Sequence, residues 1–236
     1  MNSKTELPAS RYTILLGITF FLLLIADIAS MYFSEQNWRW LTKPLLIPVL
    51  LLWFLLETKS KSSVGKKWII FALIFSWAGD VLLMLDHAGS QFFILGLSAF
   101  LTAHVFYCLY FNKRAKSTPA LFRLLVALFA GILLYILYPH LGTMLWPVIL
   151  YTAIISTMLL LAIGAHNSRR TRSTQLMAIG AFFFVISDSF LAINKFHTPF
   201  VLSGLAVMST YGLAQFLIVA GAIADAKTGD GSEAIG

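Results

Sequence analysis

Charged residues are scarce in this sequence. They make up 11% of its 236 residues, whereas hydrophobic residues make up 59%. A typical soluble domain is about one quarter charged and about half apolar. The composition therefore excludes a disordered chain, a coiled coil and almost any soluble globular enzyme. It predicts an integral membrane protein, and eight spans of about 20 residues would leave only short connections.

Cysteine is represented by a single residue, Cys108, which excludes an intrachain disulfide and a cysteine-based metal site. Glycine-rich phosphate loops, nucleophile elbows and metalloprotease motifs are also missing, which argues against nucleotide-driven transport and serine hydrolase chemistry. We expect no zinc site, because zinc usually needs several nitrogen or sulfur ligands and only His104 lies deep in an apolar run.

Long apolar runs dominate what is present. Each is too long for an ordinary strand, and hydrocarbon demands internally satisfied backbone hydrogen bonds, so helices are predicted. The sequence predicts an all-α integral membrane protein with eight transmembrane helices in one membrane domain, 1–236, ending in a polar tail at 225–236. The predicted spans are 12–33, 40–56, 67–86, 91–111, 120–138, 143–165, 174–194 and 199–224.

Basic residues predict the orientation of these spans. Fourteen of the 17 Lys and Arg residues fall at the N-terminus, in or beside the even-numbered loops, or at the C-terminus. Only Arg39, Lys43 and Lys195 fall on the other side. The excess of positive charge in cytoplasmic loops therefore predicts that both termini are cytoplasmic, in the inner membrane if the protein is bacterial. Nucleic-acid binding is not expected, because the basic residues sit in short loops between apolar runs.

The two halves of the chain are similar when displaced by 108 residues. This suggests two parallel repeats, approximately 12–111 and 120–224, each of four helices. Parallel repeats of this kind occur in transporters, with sites between the repeats. The identical pairs are Phe75 and Phe183, Asp80 and Asp188, Leu83 and Leu191, Phe92 and Phe200, Gly96 and Gly204, Leu97 and Leu205, Thr102 and Thr210, and Leu109 and Leu217.

Three acidic residues, Asp27, Asp80 and Asp188, interrupt the apolar runs. A charge in a membrane helix costs a few kcal/mol or more and usually marks function. Asp80 lies about 20 Å into its run, in the outer half of a core about 30 Å thick, and Asp188 lies at a similar depth. The repeat could bring these two face to face. Asp27 could serve a site or form a hydrogen bond between helices.

Two carboxylates held close together in an apolar interior cannot easily both ionise. One of them then keeps a proton at neutral pH. Asp80 and Asp188 would in this way supply a general acid and a carboxylate together. The alternative is that each acid caps or hydrogen-bonds a neighbouring helix.

Lys43 begins the second run, and Pro44 and Pro48 follow it and can bend a helix. We interpret Lys43 as binding an anionic headgroup or pairing with an acid; the alternative is a lysine that extends to the membrane surface. Arg39 and Lys195 could also meet a phosphate, although a solvated loop charge is the simpler interpretation of Arg39. The candidate substrate-binding residues are Lys43, His104, Tyr107, Tyr151, Asn194, Lys195, Tyr211, Gln215 and Asp27.

Several stretches between about residues 40 and 220 resemble the YhhN-like lysoplasmalogenase family of membrane proteins. In the first half they are Lys43-Pro44 with Pro48, Gly79-Asp80 with Leu83-Met84, and Gly96-Leu97 with Phe100, Ala103-His104 and Tyr107. In the second half they are Ser187-Asp188, Leu191-Ala192, Lys195-Phe196, Tyr211 and Ala214-Gln215. The first predicted helix carries less of the likeness.

The resemblance implies an eight-helix hydrolase of lipid metabolism that cleaves the vinyl-ether bond of lysoplasmalogens, with no organic cofactor. Its products would be a fatty aldehyde and glycerophosphoethanolamine or glycerophosphocholine. Asp80 and Asp188 would be the two family aspartates. Vinyl ethers are labile to acid, and glycoside hydrolysis passes through a similar cation using two carboxylates. The expected partners are a single-chain ether lysophospholipid and the bilayer, without an obligate protein partner.

Two other functions are compatible with the same residues. A proton-coupled transporter of a small molecule or lipid would also use a parallel repeat and intramembrane acids. A lipid-binding protein without chemistry would bind lipid tightly and release no product. A transporter needs two compartments, whereas a hydrolase works in detergent.

Overall fold

The apolar runs fold into helices, as a hydrocarbon environment requires. The computed structural model describes residues 11–33, 36–59, 65–86 and 90–229. Lys4, Lys61 and residues 230–236 of the predicted tail lie outside them. The helices are α1 (Arg11–Tyr32), α2 (Gln36–Glu57), α3 (Lys66–Met84), α4 (Ser90–Asn112), α5 (Ala120–Leu141), α6 (Leu145–Arg169), α7 (Arg172–Ala192) and α8 (Ser203–Gly229).

The described residues contain seven helical stretches long and apolar enough to cross a membrane. The fifth stretch, Ala120–Arg169, is 50 residues long and contains both α5 and α6. A short 3₁₀ turn, Gly142–Met144, joins these two helices. The count differs from the eight predicted runs because no polar loop separates α5 from α6.

α8 is longer than the sequence predicted. It ends at Gly229, whereas the last predicted span ends at residue 224. Asp225 explains the difference, because its carboxylate is buried and accepts hydrogen bonds from Arg114, just beyond the end of α4, at 2.6 and 2.8 Å. Lys227 likewise pairs with Glu57 on α2. These ion pairs hold the last turns of α8 against the bundle.

Two prolines lie inside α2 and free a backbone acceptor near the candidate site. Pro48 has no N–H, so it cannot donate to the carbonyl of Pro44 one turn earlier. The indole of Trp77 on α3 donates to that carbonyl instead, at 3.0 Å. This bond fixes α2 against α3 one residue away from Lys43.

Small residues allow the two most extensively packed helix pairs to approach closely, as is usual in membranes. A Cβ at Gly79 on α3 would lie 2.6 Å from the Phe100 ring on α4. A Cβ at Gly180 on α7 would lie 2.8 Å from the Ala214 carbonyl oxygen on α8. Larger residues at either position would push these helices apart. The α3–α4 and α7–α8 pairs carry the two aspartates.

Candidate active site

Asp80 on α3 is 2% exposed and is held by two other helices. The Tyr211 hydroxyl of α8 donates a hydrogen bond to Asp80 Oδ2 at 2.5 Å. Lys43 on α2 is also buried, and its Nζ lies 3.7 Å from Asp80 Oδ1. Among the interpretations of Lys43 given above, pairing with an acid describes this contact.

Asp188 on α7 has a similar surrounding built from different residues. The Tyr151 hydroxyl of α6 donates a hydrogen bond to Asp188 Oδ2 at 2.5 Å. His104 Nε2 of α4 lies 3.8 Å from the same oxygen. Each aspartate therefore accepts a short tyrosine bond, and Asp80 in addition faces a lysine.

Asp80 and Asp188 line the same cavity, which has a volume of about 290 Å³. It opens at the end of the bundle where α1 meets α2, α3 meets α4 and α7 meets α8. We call it the acid cavity. Its other polar and charged lining residues are Arg39, Lys43, Asp86, Ser187, Asn194, Lys195, Ser203 and Tyr211. Three carboxyl groups and three basic side chains thus line one cavity.

The mouth of the acid cavity includes a π-helical turn, Ile193–His197, that follows α7. Lys195 in this turn donates to Asp86 Oδ2 at 2.5 Å. The neighbouring Asn194 accepts a hydrogen bond from the Phe200 backbone N–H at 3.2 Å. Sequence reasoning missed Asp86; the available signal was an acidic residue at the end of the third run, 108 positions before Asn194.

Tyr107 and Gln215 lie behind the cavity rather than in its lining. Tyr107 donates to Gln215 Oε1 at 2.7 Å, and Gln215 Nε2 donates to the Tyr211 oxygen at 3.4 Å. Tyr211 then donates to Asp80. This chain of hydrogen bonds runs from α4 to α8 to α3 and fixes the position of the Asp80 carboxylate.

His104 is fully buried between aromatic rings. Its ring makes edge contacts with Tyr151 and Phe184, with centroids 5.4 and 4.9 Å away. Within the described residues, neither ring nitrogen has a hydrogen-bond partner. The histidine is therefore close to Asp188 without being bonded to it. The described part of the chain holds no group of three or more His, Cys, Asp or Glu side chains suited to a metal ion.

Asp27 and Arg39 form a separate contact beside the acid cavity. Asp27 on α1 accepts a hydrogen bond from Thr42 at 3.1 Å, and Arg39 Nε lies 3.9 Å from its Oδ1. Asp27 thus joins α1 to α2. The simpler interpretation of Arg39, a solvated loop charge, is wrong, because Arg39 belongs to α2 and lines the cavity.

The sequence profile of the YhhN family matches residues 38–222. The chain belongs to the YhhN family. This match covers nearly all of α2, all of α3 to α7 and most of α8, and its range includes every lining residue of the acid cavity except Met31. The resemblance seen in the sequence is confirmed.

Curated relatives of this YhhN family chain are named lysoplasmalogenases. Human lysoplasmalogenase TMEM86A is 35% identical over 159 residues, which is 66% of this chain and 65% of the relative. Human lysoplasmalogenase TMEM86B is 30% identical over 222 residues, covering 93% and 92%. A lysoplasmalogenase of Mycobacterium bovis is 30% identical over 164 residues, covering 66% and 60%. The match to TMEM86A thus spans slightly less than two thirds of that relative. No solved structure matches the chain.

Proposed function

We propose that this protein is an intramembrane ether hydrolase that cleaves the vinyl-ether bond of lysoplasmalogens. The relatives supply the reaction class, since they are named lysoplasmalogenases. The observation that carries the proposal is that Asp80 and Asp188, from different halves of the chain, line one cavity. The products are a fatty aldehyde and glycerophosphoethanolamine or glycerophosphocholine.

The chemistry needs one proton donor and one carboxylate. A proton moves from the acid to the β-carbon of the vinyl ether, which leaves an oxocarbenium ion at the carbon bonded to oxygen. The carboxylate stabilises this cation and takes a proton from the attacking water. The resulting hemiacetal collapses as its hydroxyl proton passes to the aspartate that protonated carbon, and the departing glycerol oxygen takes the proton that the other aspartate accepted from water. One water is consumed, and both aspartates end in their starting states.

The surroundings of the two acids favour different roles for them. The Lys43 ammonium faces Asp80 and compensates a negative charge there. Asp188 is instead contacted by the neutral Tyr151 hydroxyl and by His104. We therefore assign Asp80 as the carboxylate and Asp188 as the proton donor.

Basic residues at the cavity mouth suit the phosphate of a lysophospholipid. Arg39, Lys43 and Lys195 all line the acid cavity. Arginine and lysine bind phosphate through charge-assisted hydrogen bonds. Asn194 completes this polar mouth. His104, Tyr107, Gln215 and Asp27 act as positioning residues, because they contact the lining or its helices rather than the open space.

The membrane architecture proposed for this function has eight crossings in two parallel repeats. A straight helix of 50 residues would be about 75 Å long, far beyond a core about 30 Å thick. α5 and α6 also pack against each other, so Ala120–Arg169 would cross twice and turn at Gly142, whose φ is +49°. The distribution of basic residues places both termini in the cytoplasm and the cavity mouth on the outer side.

Contacts at the site support the two repeats. Lys43 and Tyr151 are 108 positions apart, and each contacts the aspartate of its own half. Tyr107 and Gln215 have the same separation and bond to each other, as residues beside a twofold axis would. In the same way, α4 packs against α6 as α8 packs against α2.

Aldehyde release from a lysoplasmalogen in detergent micelles tests the proposal. Asp80→Asn and Asp188→Asn should each reduce kcat by about 100-fold or more, because each removes one proton-transfer group. Size-exclusion profiles should show that both variants stay folded. Full activity in both folded variants would overturn the mechanism.

The same preparation separates the rival functions. A proton-coupled transporter would show gradient-dependent uptake into proteoliposomes and release no aldehyde. A lipid-binding protein without chemistry would bind lysoplasmalogen tightly and leave it intact. A hydrolase turns over in micelles, where no gradient exists.

A further inference from the structure

α5 is the most loosely packed helix of the bundle. Of its 22 residues, all described, only Leu137 and Leu141 are buried. It packs against α6 and, near its end, against the π-turn Ile193–His197. Within the described ranges it has no comparable contact with α4. One side of α5 therefore faces a gap in the protein rather than a neighbouring helix.

In the first half of the molecule, the space that corresponds to this gap is filled by packed side chains. α1 occupies the place in its half that α5 occupies in the second half, and α1 packs against α8. Aromatic rings fill that interface: the Phe216 ring on α8 lies 5.8 Å from the Phe20 ring and 4.7 Å from the Phe21 ring, both on α1. The gap beside α5 is thus a departure from the approximate symmetry, and it lies on the side of Asp188.

A narrow apolar cavity of about 50 Å³ occupies this gap. We call it the neck. Asp188 and Tyr151 lie at its inner end, and Phe93, Asp188 and Leu191 line both the neck and the acid cavity. The small residues Ala130 and Ser156 are part of its wall. The neck therefore leads from the second aspartate toward the outside of the bundle.

Beyond the neck lies a wider groove between α5, α6 and α7, with a volume of about 610 Å³. Phe129 and Val185 line both the neck and the groove. The groove is walled by apolar side chains and follows α7 from Ala178 to Ile186. The distance along the helix axis from Ala178 to Asp188 is about 15 Å. The groove faces the surface that would meet lipid.

We propose that the neck and the groove bind the alkenyl chain of the substrate, so that α5 forms one wall of a lateral tail site. The inference rests on the proposed function. The space is polar at the acid cavity and apolar from the neck outward, which matches a lipid with one charged headgroup and one chain. A chain in the neck places its first carbons, where the double bond lies, beside Asp188 and Tyr151. This position suits Asp188 as the donor of a proton to carbon.

A pair of adjacent substitutions tests the tail site. Ala130→Phe puts a ring into the neck, whereas Gly131→Phe is a matched control, because a Cβ at Gly131 has no atom within 4 Å. The substrates are lysoplasmalogens with a hexadecenyl or a butenyl chain. Ala130→Phe should lower kcat/KM for the long chain at least about tenfold, since several methylenes lose their burial, and leave the short chain within about twofold. Gly131→Phe should behave as the unmodified protein with both substrates.

Binding gives a readout that does not depend on hydrolysis. A saturated hexadecyl ether lysophospholipid, which has no vinyl group, should bind Ala130→Phe at least about tenfold more weakly than it binds Gly131→Phe. Ser156→Leu narrows the neck from α6 and should give the same chain-length dependence, which covers a folding failure of the first variant.

The outcomes separate the two proposals. If the unmodified protein releases no aldehyde from either substrate, the proposed function fails. If it is active but the neck variants keep the unmodified ratio of long-chain to short-chain kcat/KM, the tail site is overturned alone. An ordinary membrane lipid occupying the groove would produce that second result.

Discussion

Replacing Lys43 by methionine removes the cation that faces Asp80 while keeping a long unbranched side chain. Lys43 Nζ and Asp80 Oδ1 are 3.7 Å apart, and both side chains are almost completely buried, at 7% and 3% exposure. Two unit charges at this distance attract by about 4.5 kcal/mol at an effective dielectric of about 20. Water in the acid cavity would raise that dielectric, and a value of about 40 reduces the attraction to about 2 kcal/mol. We therefore expect a coupling free energy of about 2 to 4 kcal/mol.

A double-mutant cycle measures this coupling. Lys43→Met and Asp80→Asn should each lower the free energy of unfolding, because each leaves a buried charge without its partner. The double variant should lose clearly less than the sum of the two losses, since it removes both charges. Unfolding would be followed by tryptophan fluorescence during titration of mixed micelles with sodium dodecyl sulfate.

One result of this double-mutant cycle would contradict the expected coupling. A coupling below about 0.5 kcal/mol would mean that Lys43 does not compensate a charge on Asp80, and the assignment of Asp80 as the carboxylate would fall. Lys43→Arg is the matched control, because it keeps the charge while changing the geometry. It should retain most of the stability that Lys43→Met loses.

Four further variants probe other parts of the protein. Tyr151→Phe and Tyr211→Phe should each lower kcat by about tenfold or more, because each removes the hydroxyl that donates a short hydrogen bond to an aspartate. An unchanged kcat in both would show that these hydroxyls do not support the aspartates. Arg39→Gln should raise KM for a lysoplasmalogen but not for an alkenylglycerol without phosphate; equal KM changes would place the phosphate elsewhere. Asp225→Asn should lower the unfolding free energy by about 3 kcal/mol, because its partner Arg114 would remain buried. The KM of the folded fraction should stay unchanged, and an altered KM would contradict a purely structural role.

Most of the fold could be predicted because a hydrocarbon core dictates the length of apolar runs. The predicted runs and the observed helices agree to within a few residues over most of the chain. The exceptions occur where polar contacts extend a helix, as Asp225 does at the end of α8. Such a contact joins residues 111 positions apart, and hydropathy carries no information about it.

The aspartates could be identified because a charge in an apolar run is costly and therefore conspicuous. Their neighbours could be proposed only as a set. Which tyrosine contacts which acid depends on how α6 and α8 rotate against α7 and α3, and the sequence does not specify those rotations. The location of Arg39 was mispredicted for the same reason, because the sequence does not show that this residue belongs to α2 and lines the cavity.

The gap beside α5 could not be predicted at all. It arises because, in the described residues, α4 and α5 do not pack closely against each other. The apolar residues of α5 give the same sequence pattern whether they contact a helix or lipid. Only the comparison with the aromatic packing of α1 against α8 reveals it.

Under the proposed function, the loosely packed α5 affects the routes by which the two products leave the site. The acid cavity has a polar lining that suits water, whereas the groove has an apolar lining that suits lipid. A glycerophospho alcohol would diffuse away into the aqueous phase, while the aldehyde would stay dissolved among acyl chains. Each turnover would thereby sort a reactive carbonyl compound into the bilayer, where an enzyme that oxidises or reduces it would have to be membrane-associated as well.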